Sequence, residues 1–505
     1  MKLFTADKIR ELDQYTIQHE PVASIDLMER AAGALLETIL SMYPAIGTQF
    51  CIFAGPGNNG GDALALARNM QLLSYEVQVH LFDADNLSVD CATNKNRLIQ
   101  QYPDLLTEHK HTFVKPVIGE KAVIIDGLFG SGLNRPLTGI YAHVIDFINS
   151  NKNTVIAIDI PSGLYADGCH QGIAPVVRAD YTLSFQFPKL AFFFRENEDF
   201  VGDWSILDIG LHPKGIEDAD TDYHYLEQSD IVQMLHKRKR FAHKGTYGHL
   251  ALIAGSEGMA GAAILAAKSA IKTGLGLLTI HGPECNRIIA QTAVPESIYS
   301  SYPQHEFITA FTDKNRYNAF AIGPGLGTGN LSLQVLNGLL ENFNKPGVFD
   351  ADALNIISAH KEMLSKLPRN SILTPHPKEF ERLLDESVQD SLAVLDVARE
   401  MARKYHLIIV LKGAYTRIVC PDGKVYFNGT GNPGMATGGA GDVLTGMIGS
   451  LLAQGYEPET AAILGVFLHG LAADIALESE SEESLSAGDI VNHLGRAFKQ
   501  IAEKQ

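Results

Sequence analysis

Residues Phe50–Leu73 read FCIFAGPGNNGGDALALARNMQLL, an apolar run that passes through a glycine-rich turn straight into a helix-forming stretch. A strand that feeds a helix in this way is half of a βαβ unit, and the surrounding chain repeats the pattern. Before it, Leu27, Met28, Ala31, Ala32, Leu35, Leu36 and Ile39 recur at helical spacing within Ile25–Leu40. After it, short β-type runs at Val77–Phe82, Val123–Asp126 and Val155–Asp159 alternate with helical stretches, and Tyr181–Phe185 and Trp204–Ile209 close the series. The expectation is an α/β domain built on a parallel sheet.

Residues 210–244 carry many charges and histidines with weak periodicity, which reads as a connection plus one short helix. A second βαβ series follows, with strands near His249–Ala254, Leu277–His281, Ala319–Ile322, Gly347–Asp350, Ile372–Leu373 and Leu407–Leu411, and helices dominate from Asp442 onward. The chain is therefore expected to hold two doubly wound parallel-sheet α/β domains, 1–215 and 225–505. A length of 505 residues suits two such domains better than one core.

Hydrophobic residues make up 46% and charged residues 20%, the balance of a globular chain. A net charge of -17 argues against general nucleic-acid binding, which relies on Lys and Arg releasing phosphate counterions. The basic run from His236 to Arg240, with His243 and Lys244, reads as a solvated linker, with phosphate steering as the alternative. The five cysteines are isolated and show no CxxC or zinc spacing, which implies a reduced compartment. The first residues lack an apolar leader and no uncharged stretch is long enough to span a bilayer, so the expectation is a cytoplasmic protein with no membrane partner. Apolar helices such as Ile25–Leu40 could bury against a second copy, and a homo-oligomer is expected.

The turn Gly55–Asp62 could offer its amides to a phosphate at a helix N-terminus, although Gly and Asn also serve plain tight turns. Two more loops should reach the same crevice, because ligands of open parallel sheets collect beyond the carboxyl ends of the strands. One follows Val123–Asp126 and the other follows Ala157–Asp159. Asp126 and Asp159 would share that crevice; capping or turn roles are the alternative. Side-chain oxygens of Asn59, Asp126 and Ser162, with loop carbonyls, could hold a monovalent or hard cation.

The segments PGNNGGDALALAR, IDGLFGSGLNRP and AIDIPSGL resemble the epimerase domain of the NAD(P)H-hydrate repair family over roughly Met1–Leu211. The resemblance implies a Rossmann-like fold that interconverts the R and S epimers of hydrated NADH and NADPH. It implies substrate contacts from Asn58, Asn59, Gly60, Gly61, Asp62, Gly130, Ser131, Gly132, Leu133, Asn134, Arg135, Pro136 and Asp159, and potassium at Asn59, Asp126 and Ser162. Ala63 stands where the family often has Gly, with little effect expected. The hydrate is a carbinolamine, so losing its hydroxyl gives an iminium that water re-attacks from either face. Asp159 is the expected acid/base group for both directions.

Farther along, Asn428–Asp442 reads NGTGNPGMATGGAGD and leads into the apolar helix Val443–Leu452. Small residues ahead of a helix leave amides free to meet a transferring phosphoryl group, and Asp442 can take a proton from the attacking hydroxyl. Three strand ends belong with it: Lys412-Gly413-Ala414, whose lysine could pair with nucleotide phosphates or sit at the surface; Gly323–Gly327, a close backbone approach or a plain turn; and His376, framed by two prolines. The order GSEGMAGAAILAA, IGPGLG, DADAL, LTPHPKEFERL, VLKGA and GNPGMATGGAGDVLTG resembles the dehydratase domain of the same repair family, which is ribokinase-like. The resemblance implies that Ala263, Gly325, His376 and Asp442 contact the hydrate. It also implies that Lys412, Gly413, Ala414, Tyr415, Thr416, Asn432 and Gly441 line an adenine nucleotide, ADP or ATP, carried with magnesium. Lys378 departs from the family's usual Gly. The rival reading is a ribokinase-like small-molecule kinase with a non-catalytic nucleotide-binding N-terminal domain.

Overall fold

The strand Gln49–Ala54 is exposed only at Gln49, and a strand buried on both faces belongs inside a parallel sheet covered by helices. The computed structural model, which describes residues 1–172, 174–302, 316–385 and 387–504, shows such a sheet. The chain divides into two units: Lys2–Thr221 with a three-residue piece, Asp390–Leu392, and, apart from Met1, Asp222–Gln389 with Ala393–Gln505.

In the N-terminal unit the strand order is Leu106–His109, Glu76–Phe82, Gln49–Ala54, Val123–Gly127, Val155–Ile158, Tyr181–Phe185, Asp203–Leu207, and every neighbouring pair is parallel. The order reverses between Gln49–Ala54 and Val123–Gly127, which opens a crevice at their carboxyl ends. Register aligns Ala54 with Gly127 and Asp126 with Ala157, so the three motif loops leave the sheet side by side. The helix Asn58–Leu72 starts immediately after the first strand, five residues earlier than apolar periodicity alone marks it, because the glycines themselves form its first turn. A Cβ on Gly60 would lie 1.8 Å from the Gly55 carbonyl oxygen, so that turn admits no other residue. The helix Ser24–Met42 buries Leu27, Met28, Ala31, Ala32, Leu35 and Ile39 within the unit, so the face expected to meet a second copy is already covered. Ala63 is fully buried against Gly127.

The second sheet runs Tyr223–Leu226, Val425–Asn428, Arg417–Val419, Ile408–Leu411, Ile372–Leu373, Gly347–Phe349, Ala319–Ile322, His249–Ile253, Leu277–Pro283, Ile298–Tyr302. It is parallel from Ile298–Tyr302 to Ile408–Leu411, after which Arg417–Val419 and Val425–Asn428 turn back antiparallel. The reading of residues 210–244 as a connection with one short helix needs correction. Tyr223–Leu226 is a strand paired with Val425–Asn428, and Pro213–Asp218 and Gln228–Met234 are both helical. Its alternation is too short and too polar to show as a strand until a partner is present. The basic run that follows is exposed, as a solvated segment should be.

Three helices, Ala440–Ala453, Pro458–Ala476 and Ala487–Ala502, make up the C-terminal part of this unit. Pro458–Ala476 is apolar and long enough to cross a bilayer by composition, but 78% of that stretch is buried inside the unit, as in a core helix. Ala440–Ala453 crosses Ala260–Thr273 closely: Ser269 Oγ donates to the Val443 carbonyl at 2.8 Å, and a Cβ on Gly446 would lie 2.0 Å from the Ala266 carbonyl oxygen. Gly446→Ala should therefore push the two helices apart. We expect a loss of about 1–3 kcal/mol in unfolding free energy, read from urea denaturation.

Candidate functional site

Asp126 is wholly buried and accepts hydrogen bonds from Ser162 N (2.8 Å), Ser162 Oγ (2.7 Å) and Leu128 N (3.2 Å). Among the described residues no basic side chain pairs with it, and burial outweighs those donors, pushing its carboxyl up to about 6. Asn59, buried in the first helical turn, has an Nδ2 with no hydrogen-bond partner among the described residues. A Cβ on Gly130 would lie 3.3 Å from both Asn59 Oδ1 and Asp159 Oδ2, so this loop passes between them. The structure thus gathers Asn59, Asp126, Gly130, Asp159 and Ser162 at one end of the sheet. Gly60, Gly61 and Asp62 are buried beside them; Ser131 and Leu133 are half-buried; Asn58, Gly132, Asn134, Arg135 and Pro136 are exposed.

Asp159 sits at φ +66°, a conformation that a non-glycine residue adopts only when its surroundings hold it there. Its Oδ1 pairs with Lys189 Nζ at 2.7 Å and its Oδ2 accepts from Ser131 N at 3.2 Å. Burial alone would raise this carboxyl, but Lys189 and Ser131 together outweigh it and hold it below the usual carboxylate range. Lys189 is only 1% exposed and also donates to Ser184 Oγ (3.0 Å) and the Phe187 carbonyl (3.1 Å). Two more acids feel the same field. Asp13, on the helix Ala6–His19, is pushed up to about 7 by burial and by Asp159, with Lys189 and Arg10 opposing. Asp62 is raised well above its ordinary range by burial and by Asp159, Asp13 and Asp90. Lys189 favours the ionised form of Asp159 while burial favours the protonated forms of Asp13 and Asp62, so neighbouring acids are pushed in opposite directions.

In the C-terminal unit Asp442 occupies the first turn of Ala440–Ala453. The helix makes its first backbone bond from Val443 N to Gly439 O (3.1 Å), which leaves the amides before it to external acceptors. Burial pushes the Asp442 carboxyl up to about 6, reinforced by Asp350 and opposed by Lys412. Lys412 Nζ donates to Asp350 Oδ1 at 2.9 Å and stands 3.8 Å from Glu379 Oε2. Burial would lower the lysine, but the two acids outweigh it and raise it. Lys412 is therefore held by protein acids as well as placed at the helix head, where a Cβ on Gly441 would lie 3.3 Å from its Nζ. Asp350, 1% exposed, also accepts from Thr445 Oγ1 at 2.7 Å. His376 caps the helix Pro377–Leu384, with its N–H bonded to Glu379 Oε2 at 2.9 Å, and Lys378 is exposed in that helix's first turn.

Gly325 packs against Met259 and Ala262, and Gly255 against Ala263, which brings the first two motif loops together. Asn432 Nδ2 donates to Asp474 Oδ1 at 3.0 Å and Gly431 N to Asp474 Oδ2 at 2.9 Å, so the core helix Pro458–Ala476 anchors the glycine loop. Gly413 and Ala414 are exposed, while Tyr415, at φ +51°, and Thr416 are half-buried. No cluster of three His, Cys, Asp or Glu suited to a metal occurs among the described residues.

Sequence reading missed Lys189, Asp13, Asp350, Glu379 and Asp474. A signal existed for Lys189 and Asp474, since each is a lone charge inside an apolar run, QFPKLAFFF and LHGLAADIA, and a charge in such a run needs a partner. Lys189→Met would leave Asp159 buried without its cation. We expect unfolding free energy at neutral pH to fall by about 3–5 kcal/mol in denaturant titrations. The depressed carboxyl of the wild type contributes stability above its unfolded-state value and loses it as pH falls through its folded-state value. The gap between variant and wild type should therefore close in acid.

Comparison with known proteins accounts for both units. Residues 250–496 match the family described as NAD(P)H-hydrate dehydratase, and residues 24–191 match that described as YjeF-related protein N-terminus. The chain is 33% identical over 515 residues to the bifunctional NAD(P)H-hydrate repair enzyme of Thermofilum pendens, with 100% of this chain and 97% of the relative covered. It is 31% identical over 497 residues to the Escherichia coli K12 enzyme of the same name, covering 97% and 93%. In structure it is similar to the ADP/ATP-dependent NAD(P)H-hydrate dehydratase from Bacillus subtilis co-crystallized with ATP/Mg2+, with TM-score 0.50, 34% identity and coverage of 55% of this chain and 98% of that one. It is also similar to a ribokinase-like superfamily protein from Enterococcus faecalis V583, with TM-score 0.51, 27% identity and coverage of 56% and 98%. Similar along its full length to relatives that join the same two parts, the chain belongs to the family of bifunctional NAD(P)H-hydrate repair enzymes, an epimerase unit followed by a dehydratase unit.

Proposed function

We propose that the N-terminal unit interconverts the R and S epimers of NADH and NADPH hydrates, and that the C-terminal unit returns the S epimer to the reduced dinucleotide at the expense of ADP or ATP. The observation that carries this reading is Asp442, a half-buried carboxylate in the first turn of a helix whose leading amides are free to meet a phosphoryl group. In the dehydratase step Asp442 takes the proton as the hydrate's hydroxyl attacks the terminal phosphoryl group of the nucleotide, and the bond to the nucleotide breaks. The ring nitrogen's lone pair then expels phosphate, and a proton leaves the neighbouring carbon to restore the dihydropyridine. The amides of Gly439–Gly441 meet the phosphoryl oxygens. Gly325, Ala263 and His376 position the hydrate, while Lys412–Thr416, Asn432 and Gly441 line the nucleotide. Magnesium bound with the nucleotide would neutralise phosphate charge. ADP, giving AMP and phosphate, is our choice of donor.

In the epimerase step Asp159, kept ionised by Lys189, handles the proton of the water that leaves and returns, and the loop residues Asn58–Asp62 and Gly130–Pro136 hold the dinucleotide. Asn59, Asp126 and Ser162 suit potassium. One buried carboxylate with no cationic partner among the described residues suits a single positive charge, which potassium would supply to the loops, with Asn59 Oδ1 and Ser162 Oγ as further oxygen ligands. The unpaired thiols accord with a reduced, cytoplasmic setting.

Incubating a mixture of hydrate epimers with ADP and following the absorbance of NADH tests both units. Wild type should convert all of it, Asp159→Asn only the S half, and Asp442→Asn none. Because Asp442 acts only when ionised, kcat/KM for dehydration should fall on the acid side with a midpoint near the value of about 6 to which burial raises it. Replacing potassium with tetramethylammonium should slow epimerisation, measured by chromatographic separation of R and S, and leave dehydration of purified S hydrate at its original rate.

A further inference from the structure

The buried helix Pro458–Ala476 meets the glycine loop at both of its ends. At the start of the loop, Thr430 Oγ1 donates to the Phe467 carbonyl at 2.9 Å, and a Cβ on Gly470 would lie 2.4 Å from that hydroxyl oxygen. One turn on, Asp474 accepts from Gly431 N at 2.9 Å and from Asn432 Nδ2 at 3.0 Å. At the far end stands His469, whose ring hydrogen-bonds to the backbone of Ala440, the first residue of the helix that carries Asp442. His469 is 7% exposed, and its Nε2 has no partner among the described residues, which leaves Nδ1 to make that bond. Burial lowers the imidazole to about 4, with Ala440 opposing and Lys412 reinforcing, so at neutral pH the ring is uncharged and has one N–H to give. The Ala440 carbonyl receives it. A leucine would fill the same space without leaving a buried nitrogen bare, so the bond to Ala440 is what an imidazole adds there.

We propose that His469 is a positioning residue for phosphoryl transfer, holding the Ala440–Gly441 peptide so that the Gly441 N–H points out of the helix head toward the phosphoryl group. The inference rests on the functional reading above and adds to it a side chain that acts through the backbone. A trans peptide is planar, with its C=O and the following N–H pointing opposite ways. Fixing the Ala440 carbonyl on one side therefore aims the Gly441 N–H on the other. That N–H lies ahead of the first helical bond, from Val443 N to Gly439 O, and has no backbone acceptor among the described residues. Gly438, Gly439 and Gly441 flank Ala440, and Gly439 sits at φ +95°, so local sterics leave the tilt of this peptide open. A partner from outside the loop has to set it, and an amide preset toward developing charge is what speeds the chemical step rather than binding.

The test measures ADP-dependent dehydration of purified S hydrate by full-length His469→Leu, His469→Asn and His469→Gln. Asn offers an amide N–H where Nδ1 stands and Gln offers one where Nε2 stands, so both bury a polar group and only Asn reaches Ala440. Leu and Gln should lower kcat about 10- to 100-fold, short of the ~10²–10³ that follows outright loss of an oxyanion donor. Asn should restore most of it, and KM for the hydrate should stay as in wild type in all three. The acid limb near 6, which belongs to Asp442, should not move, because His469 does not titrate there. If the Leu protein fails to fold, the contrast between Asn and Gln decides. Equal kcat in Asn and Gln, or a loss confined to KM, overturns the proposal. Failure of the wild type to dehydrate S hydrate would instead overturn the functional reading on which it rests.

Discussion

A carboxylate withdrawn from water has to be answered by a cation, by hydrogen bonds or by a proton, and the way each buried acid in this chain is answered sets its chemistry. Parallel strands bring these acids together, because every strand delivers its carboxyl end to the same edge of its sheet. In the N-terminal unit Asp159 is answered by Lys189 and Asp126 by three protein donors, while burial pushes the carboxyls of Asp13 and Asp62 up, toward holding a proton. In the C-terminal unit Asp350 is answered by Lys412 and Thr445, which leaves Asp442 to a shared field that keeps it titratable near neutrality. Four acids in one crevice and three around another would repel if all were charged; their unequal pairing separates bases from acids.

The second constraint is close approach. Ala440–Ala453 meets Ala260–Thr273 at Gly446, and the same crossing sets the head of Ala440–Ala453 at Gly439 against Leu265. Asp474 fixes the glycine loop from the other side through Gly431 and Asn432. A mobile run of small residues would spend its amides on water. Tied at Asp474 and continued into a buried helix, the same residues keep them aimed at one place.

The elements that a single stretch of chain can specify were legible in the sequence. Both series of strands, the turn at Gly55–Asp62, the loops ending in Asp126 and Asp159 and the helix headed by Asp442 follow from local pattern. What stayed hidden depends on partners distant in the chain. Tyr223–Leu226 becomes a strand only beside Val425–Asn428. Leu106–His109, Ile298–Tyr302, Arg417–Val419 and Val425–Asn428 are short strands whose alternation is weak. Lys189 and Asp350 acquire their meaning from Asp159 and Lys412, 30 and 62 residues away. Lys412 read from its position as a phosphate ligand or a surface lysine, and the geometry shows it paired with Asp350 and 3.8 Å from Glu379.

The central claim is that Asp442 activates the hydrate's hydroxyl toward the nucleotide, so that this oxygen leaves as part of phosphate. The direct measurement is dehydration of S hydrate carrying oxygen-18 in that hydroxyl, with the released phosphate weighed by mass spectrometry. The account predicts one labelled oxygen in every phosphate formed. Unlabelled phosphate, with the label recovered in water, would contradict it.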